Sequence, residues 1–376
     1  MNETPSLSAP ENIAGAKAWH PFRGLRTLSI MPTYTCTAAC ADCASLSTPQ
    51  ERTRLSSEDI FAAIEEARQL GFYNVVFTGG EVTLRWRELL CWISHAAKLR
   101  FPTRVVTNAH WATRPETARD RIDQLIEAGL HEINYSTGDE HVRFVPIERV
   151  AYAVVAARKR GMPVHVMIEM RQGNGINRDT LLNHPILEEL TEEERKPLSV
   201  VASPWMPLSP DRTHTYPEGV ATARQNLGMR LGCESILQTY TLQADGRVAA
   251  CCGLGMRLID ELQVARTNEP DRLAKAIAAA EMDFLKVWIH YSGPERVVAW
   301  AAQHDPSIVW EGLYSHHCQF CQRLYRDDKV RAVVREHWQE VITEVLQAAW
   351  LDQEAVPDVM GREVQASLTS LQERMR

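Results

Sequence analysis

The segment Leu28-Ser29-Ile30-Met31-Pro32-Thr33-Tyr34-Thr35-Cys36-Thr37-Ala38-Ala39-Cys40-Ala41-Asp42-Cys43 decides how the chain is read. Its apolar start predicts a short strand over 28–32, and the cysteines follow at once, so three thiols fall on one loop beyond a strand's C-terminal end. The same punctuation recurs downstream. Apolar runs at 74–77, 104–107, 132–136, 164–170 and 198–202 predict five further strands, separated by amphipathic stretches. Ser57 opens one helix with Glu58 and Asp59 in its first turn, Ile60, Ala63, Ile64 and Ala67 on one face, and Gly71 beyond its end. Further helices are expected over 84–99, 115–128 and 147–160. Six such units predict an α/β fold with a partial (β/α)6 TIM-like barrel over 27–207, its active site at the C-terminal ends of the strands.

The formal charge of the 376-residue chain is −7, so no basic field favours nucleic acid as a partner. The first residues show no signal-peptide pattern, and no apolar run is long enough to cross a membrane. A cytoplasmic enzyme without a membrane partner is expected. Nine cysteines in such a chain point to metal sites rather than disulfides. They fall as Cys36, Cys40 and Cys43, then Cys91, then Cys233, Cys251 and Cys252, and finally Cys318 and Cys321.

Beyond the barrel, Ser, Pro, Thr and His residues over 207–219 mark a boundary. Alternation over 240–250 around Asp245-Gly246 predicts a β-hairpin, and 270–312 reads as helical. From 327 to 376 the chain is charged and helical, with Val333, Trp338, Val341, Ile342, Val345 and Leu346 as a packing stripe. The expected organisation is an N-terminal segment (1–26), the barrel (27–207), a smaller hairpin and helical domain (220–326) and C-terminal helices (327–376).

Three loop cysteines suit a four-iron cluster with one iron left open for a ligand that is not protein, or zinc with a fourth ligand from elsewhere. Thr78-Gly79-Gly80-Glu81 follows the second strand, its glycines allowing close backbone approach and Glu81 offering a carboxylate to an ammonium group. Together the CxxxCxxC loop and this Gly-Gly-Glu turn resemble the signatures of the radical S-adenosylmethionine (SAM) superfamily. The resemblance implies a 4Fe–4S cluster held by Cys36, Cys40 and Cys43, whose open iron chelates SAM. Reductive cleavage of SAM would then give a 5'-deoxyadenosyl radical that abstracts hydrogen from substrate, with electrons from a flavodoxin- or ferredoxin-type reductant. It also implies SAM contacts from Gly79, Gly80, Glu81, Asn108, Ser136 and Glu169, with Trp205 and Met206 as further candidates near adenine. Asp42 stands where the family commonly has an aromatic residue.

Cys233, separated from Cys251 by seventeen intervening residues, the Asp-Gly hairpin and the closing Cys318-Gln-Phe-Cys321 resemble the Twitch or SPASM extensions of that superfamily. This implies one auxiliary 4Fe–4S cluster on Cys233, Cys251, Cys318 and Cys321, the count favouring Twitch. A structural zinc site fits the same four cysteines. Cys252 reads as a small buried side chain, or else as a replacement for Cys251 or a thiol hydrogen donor, and Cys91 reads as a core residue. Asp139-Glu140-His141 beyond the fourth strand could bind a polar substrate or act as a base, with Arg143, His110-Trp111, Arg171 and His316-His317 as weaker candidates. The favoured substrate is a ribosomally synthesised peptide. The alternatives are a small-molecule oxidoreductase of the aminocyclitol-dehydrogenase type and, more remotely, a non-catalytic metal-binding protein.

Overall fold

A computed structural model describes residues 22, 24–209, 211–266 and 269–355. Most of the N-terminal segment (1–21 and 23) and the end of the C-terminal helical region (356–376) lie outside the described residues. Six parallel strands run as expected: β1 (Thr27–Ile30), β2 (Asn74–Phe77), β3 (Thr103–Thr107), β4 (Glu132–Thr137), β5 (Val164–Met170) and β6 (Leu198–Pro204). They neighbour one another in sequence order. Between them lie the helices α1 (Ser57–Gln69), α2 (Trp86–Lys98), α3 (Pro115–Glu127) and α4 (Ile147–Arg158).

The period of two along the strands divides the barrel into a packed side and an open side. Leu28, Ile30, Val75, Phe77 and Val105 are fully buried in one core with Ile60 and Ile64 of α1 and Leu89 of α2. Their neighbours Ser29, Asn74, Val76, Arg104 and Val106 line a cavity instead. The lumen residues are too small or too polar to fill that space, so the partial barrel keeps a chamber where a closed barrel packs side chains. Ser56 caps α1 by accepting from the Asp59 amide at 3.0 Å, a contact worth about 1 kcal/mol.

After residue 220 the chain returns to the same sheet. Strand β7 (Thr239–Leu242) lies parallel to β1 on the side away from β2, and β8 (Arg247–Ala249) and β9 (Gln263–Arg266) follow antiparallel, so the hairpin extends the barrel wall. Helices Arg272–Glu281, Phe284–Ser292 and Pro294–His304 fill the region read as helical. No helix among the described residues is long and apolar enough to cross a membrane.

Three local readings change. The first turn of the helix expected from 84 is a separate 3-10 turn, Val82–Arg85, capped by the Glu81 carboxylate. The apolar stripe from Val333 is not one helix, because the chain turns at Trp338–Glu340 where Trp338 packs on Phe284, ring centroids 5.3 Å apart, before helix Ile342–Ala355 begins. Cys91 is exposed rather than core: Leu89, Trp92, Ile93 and Ala96 form the buried face of α2, and Cys91 falls on the opposite one.

Candidate active site

The loop carrying Cys36, Cys40 and Cys43 leaves β1 and is held largely by main-chain contacts. The Cys36 amide donates to Thr48 O at 3.1 Å and the Leu46 amide to Cys43 O at 2.9 Å. The Gly-Gly-Glu turn runs beside its lead-in, with the Gly80 amide on Thr33 O (2.9 Å) and the Glu81 amide on Thr35 O (2.8 Å). A Cβ on Gly80 would stand 2.2 Å from Thr35 O, so only glycine permits this approach.

All three thiols line one cavity of about 470 Å³, within the roughly 300–1,000 Å³ usual for small-molecule sites. Burial pushes the Cys36 thiol up to about 11 and Cys40 up to about 12, and for Cys40 the neighbouring Cys43 and Cys36 add to the shift. Crowded, desolvated thiols of this kind ionise when a cation takes the charge, so the donor set fits a metal cluster.

Gly79, Gly80, Glu81, Asn108, Ser136 and Glu169 line the same cavity. Glu81, 1% exposed, already accepts from the Thr83 amide (3.1 Å), the Thr107 hydroxyl (2.7 Å) and the Asn108 amide (2.8 Å). It therefore ties the end of β2 to the end of β3 as well as facing the cavity. Asn108 donates to the Thr37 hydroxyl at 3.0 Å, next to Cys36.

Glu169, 3% exposed, accepts from the Glu140 amide and pairs with His141 Nδ1 at 3.2 Å. His141 lines the cavity and meets Trp205 edge to face, centroids 5.8 Å apart. Its cluster-mates are engaged elsewhere. Asp139 accepts the amides of Gly175 (3.1 Å) and Ile176 (2.8 Å) and so fixes the loop after β5. Glu140 pairs with Arg143 (2.7 Å) and Arg171 (3.3 Å); burial pushes its carboxyl up, but the Arg143 bond, the Ala41 amide and Arg171 outweigh it and hold it below the usual range. His110 does not line the cavity, and Trp111 is buried against the Thr107 hydroxyl. Met206 is likewise buried, outside the cavity lining.

Gly138, φ +141°, makes room for this arrangement, since a Cβ there would lie 2.1 Å from Glu169 Cγ. Gly138→Ala is expected to displace Glu169 and to cost about 1–3 kcal/mol, measurable by chemical denaturation.

Two contacts on the cluster loop escape any local sequence pattern. Arg257 lies 3.4 Å over the Tyr34 ring and donates to Ser45 O at 2.6 Å, reaching back from beyond β8. Asp42, in the left-handed region at φ 57°, accepts from Leu208 N (3.3 Å) and Arg212 (3.3 Å) and lies 3.7 Å from His214. The position thus anchors the 207–219 connection to the cluster loop.

A second, smaller cavity is lined by Cys233, Cys251, Cys318 and Cys321, together with His317, Ile289 and Leu262. Burial pushes all four thiols up, and Cys318 and Cys321 are raised further by Cys233 and Cys251. Four mutually interacting buried thiols could hold a four-iron cluster or a zinc ion. Cys252 turns the other way: it lines the barrel cavity, is exposed, and lies 3.2 Å from the Ser235 hydroxyl. Gly253 and Leu254 line both cavities. His316 accepts the Cys318 amide at 3.1 Å, and burial, then His317, holds its ring down to about 3.

Residues 30–185 match the Radical SAM superfamily. The structure resembles that of anSMEcpe with bound AdoMet (12% identity, TM-score 0.50, covering 83% of this chain and 100% of that one). It also aligns with BtrN in complex with AdoMet and 2-DOIA (9% identity, TM-score 0.43, 73% and 90% covered). SuiB of Streptococcus suis bound to precursor peptide SuiA aligns at 15% identity with a TM-score of 0.37, covering 71% and 64%. The match to the radical SAM superfamily of enzymes thus falls on the barrel, whose sheet is mostly parallel and partial TIM-like. That family implies a 4Fe–4S cluster and SAM as cofactors.

Proposed function

We propose that the enzyme oxidises a ribosomally synthesised peptide in the barrel cavity, with an auxiliary 4Fe–4S cluster in the four-cysteine cavity accepting an electron. The observation that carries this reading is the placement of two thiol sets around two cavities that share Gly253 and Leu254 as a common wall. When bound, the first cluster supplies the electron that cleaves SAM to methionine and the 5'-deoxyadenosyl radical that takes a hydrogen atom from substrate.

The chain's own residues divide the remaining work. Cys36, Cys40 and Cys43 hold the first cluster, and Gly79, Gly80, Glu81, Asn108 and Ser136 surround SAM. Glu169 fixes the His141 ring through Nδ1, which leaves Nε2 to take a proton from the substrate. Cys233, Cys251, Cys318 and Cys321 would hold the auxiliary cluster, which would supply an acceptor for the substrate's remaining electron beyond Gly253 and Leu254. Overall the substrate loses two hydrogens. A flavodoxin- or ferredoxin-type protein is the reductant.

The open side of the barrel supports a peptide. Met167 and Val201 are register neighbours on β5 and β6 and are 47% and 46% exposed, an apolar pair near the edge of the sheet that could meet an extended chain. His141→Asn is expected to keep 5'-deoxyadenosine formation while slowing substrate oxidation by about 10²–10⁴-fold; equal loss of both would indicate a structural role.

The substrate reading is tested by co-expressing the enzyme with a library of short peptides and weighing the products by high-resolution mass spectrometry. Loss of two hydrogens, dependent on Cys36, supports it. An unchanged peptide, with oxidation of an aminocyclitol instead, would replace it with the small-molecule reading.

A further inference from the structure

Away from the barrel, three side chains from helix ends converge. His304 ends helix Pro294–His304, His337 ends helix Asp328–His337, and Glu340 closes the turn Trp338–Glu340. Glu340 Oε1 lies 2.9 Å from His337 Nδ1, and Oε2 lies 3.4 Å from His304 Nε2. One ligand atom from each residue falls within 4.8 Å of the other two. The imidazoles stack with centroids 4.3 Å apart, and Trp300 packs on His304 at 4.6 Å. His337 Nε2, the nitrogen facing away from Glu340, lies 3.9 Å from a Glu336 oxygen.

We propose that His304, His337 and Glu340 bind a divalent transition-metal ion of the zinc, nickel or copper class, with the remaining coordination left to water. Two imidazoles and a carboxylate select such metals over magnesium or calcium, which take oxygen ligands. Zinc bonds of about 2.0–2.2 Å at tetrahedral angles separate donor atoms by about 3.3–3.6 Å, a spacing that the 3.4 Å between Glu340 Oε2 and His304 Nε2 already matches. Both histidines sit at helix C-termini, whose partial negative charge favours a cation.

The site is partly open to solvent, so an ion can enter. It joins helix Asp328–His337 to the helix that begins at Pro294, a residue lining the four-cysteine cavity. Metal binding would therefore brace the C-terminal helices against the wall of that cavity.

The test uses the full chain after cluster reconstitution, so that the thiols are occupied. Wild type and His304→Ala/His337→Ala are equilibrated with zinc chloride and counted by inductively coupled plasma mass spectrometry. The expected result is one more zinc per chain in wild type, with a zinc-dependent rise in thermal midpoint that the variant lacks. Zinc held by the four cysteines would appear equally in both proteins and cancel. Glu340→Gln, which removes the charged ligand, should bind zinc at least about tenfold more weakly. Equal zinc in wild type and the double variant overturns the proposal. Should that variant not fold, unchanged zinc affinity in Glu340→Gln overturns it instead.

Discussion

Replacing Cys36, Cys40 and Cys43 together with alanine is expected to reduce 5'-deoxyadenosine formation from SAM and dithionite to the level of a protein-free control. The effect is total because no cluster can assemble without its thiolates, and without the cluster no electron reaches SAM. Loss of fold does not explain such a result. The loop is positioned by main-chain bonds at Cys36, Gly80 and Glu81, by the Ser45 hydroxyl on Gly79 O at 3.0 Å, and by Arg257 on Ser45 O, none of which uses a thiol. The variant should keep its circular dichroism spectrum and lose about four irons per chain, which chromatography and iron analysis would read together.

Replacing Cys318 and Cys321 with alanine is expected to leave SAM cleavage in place and to stop substrate oxidation. The four-cysteine cavity is lined by none of the residues proposed to surround SAM, and it shares Gly253 and Leu254 with the barrel cavity. On the proposed function, a cluster there is the electron acceptor, and its loss would leave the site of radical formation intact. The same variant should fall from about eight to about four irons per chain. It should also melt at lower temperature, because metal binding at four buried thiols is part of the folding free energy. Zinc at this position in the wild type, with four irons only, would make the site structural.

Much of the barrel was legible because its strands carry short apolar runs and its helices a strong 3.6-residue period. The strands at 74–77 and 164–170 and the start of α1 at Ser57 came from that pattern alone. The cysteine spacings located both thiol sets, and the order of residues through the barrel brought Glu81, Asn108, Ser136 and Glu169 to one cavity. What stayed hidden depends on partners distant in sequence. Arg257 reaches Ser45 across 212 positions, and Asp42 reaches Arg212 across 170, so neither leaves a periodic trace. Within Asp139-Glu140-His141, only the fold separates roles: Asp139 is spent on the loop after β5, Glu140 on two arginines, and His141 alone faces the cavity. Cys91 was misplaced because its apolar neighbours suggested a core, whereas the helical period puts it on the outer face.

The most direct measurement is anaerobic reconstitution of the full chain, followed by iron and sulfide analysis and chromatography after addition of dithionite and SAM. The expected result is 5'-deoxyadenosine formation by a protein carrying about eight irons and about eight sulfides per chain. An iron-loaded chain that forms no 5'-deoxyadenosine would contradict the assignment of Cys36, Cys40 and Cys43 to a SAM-cleaving cluster.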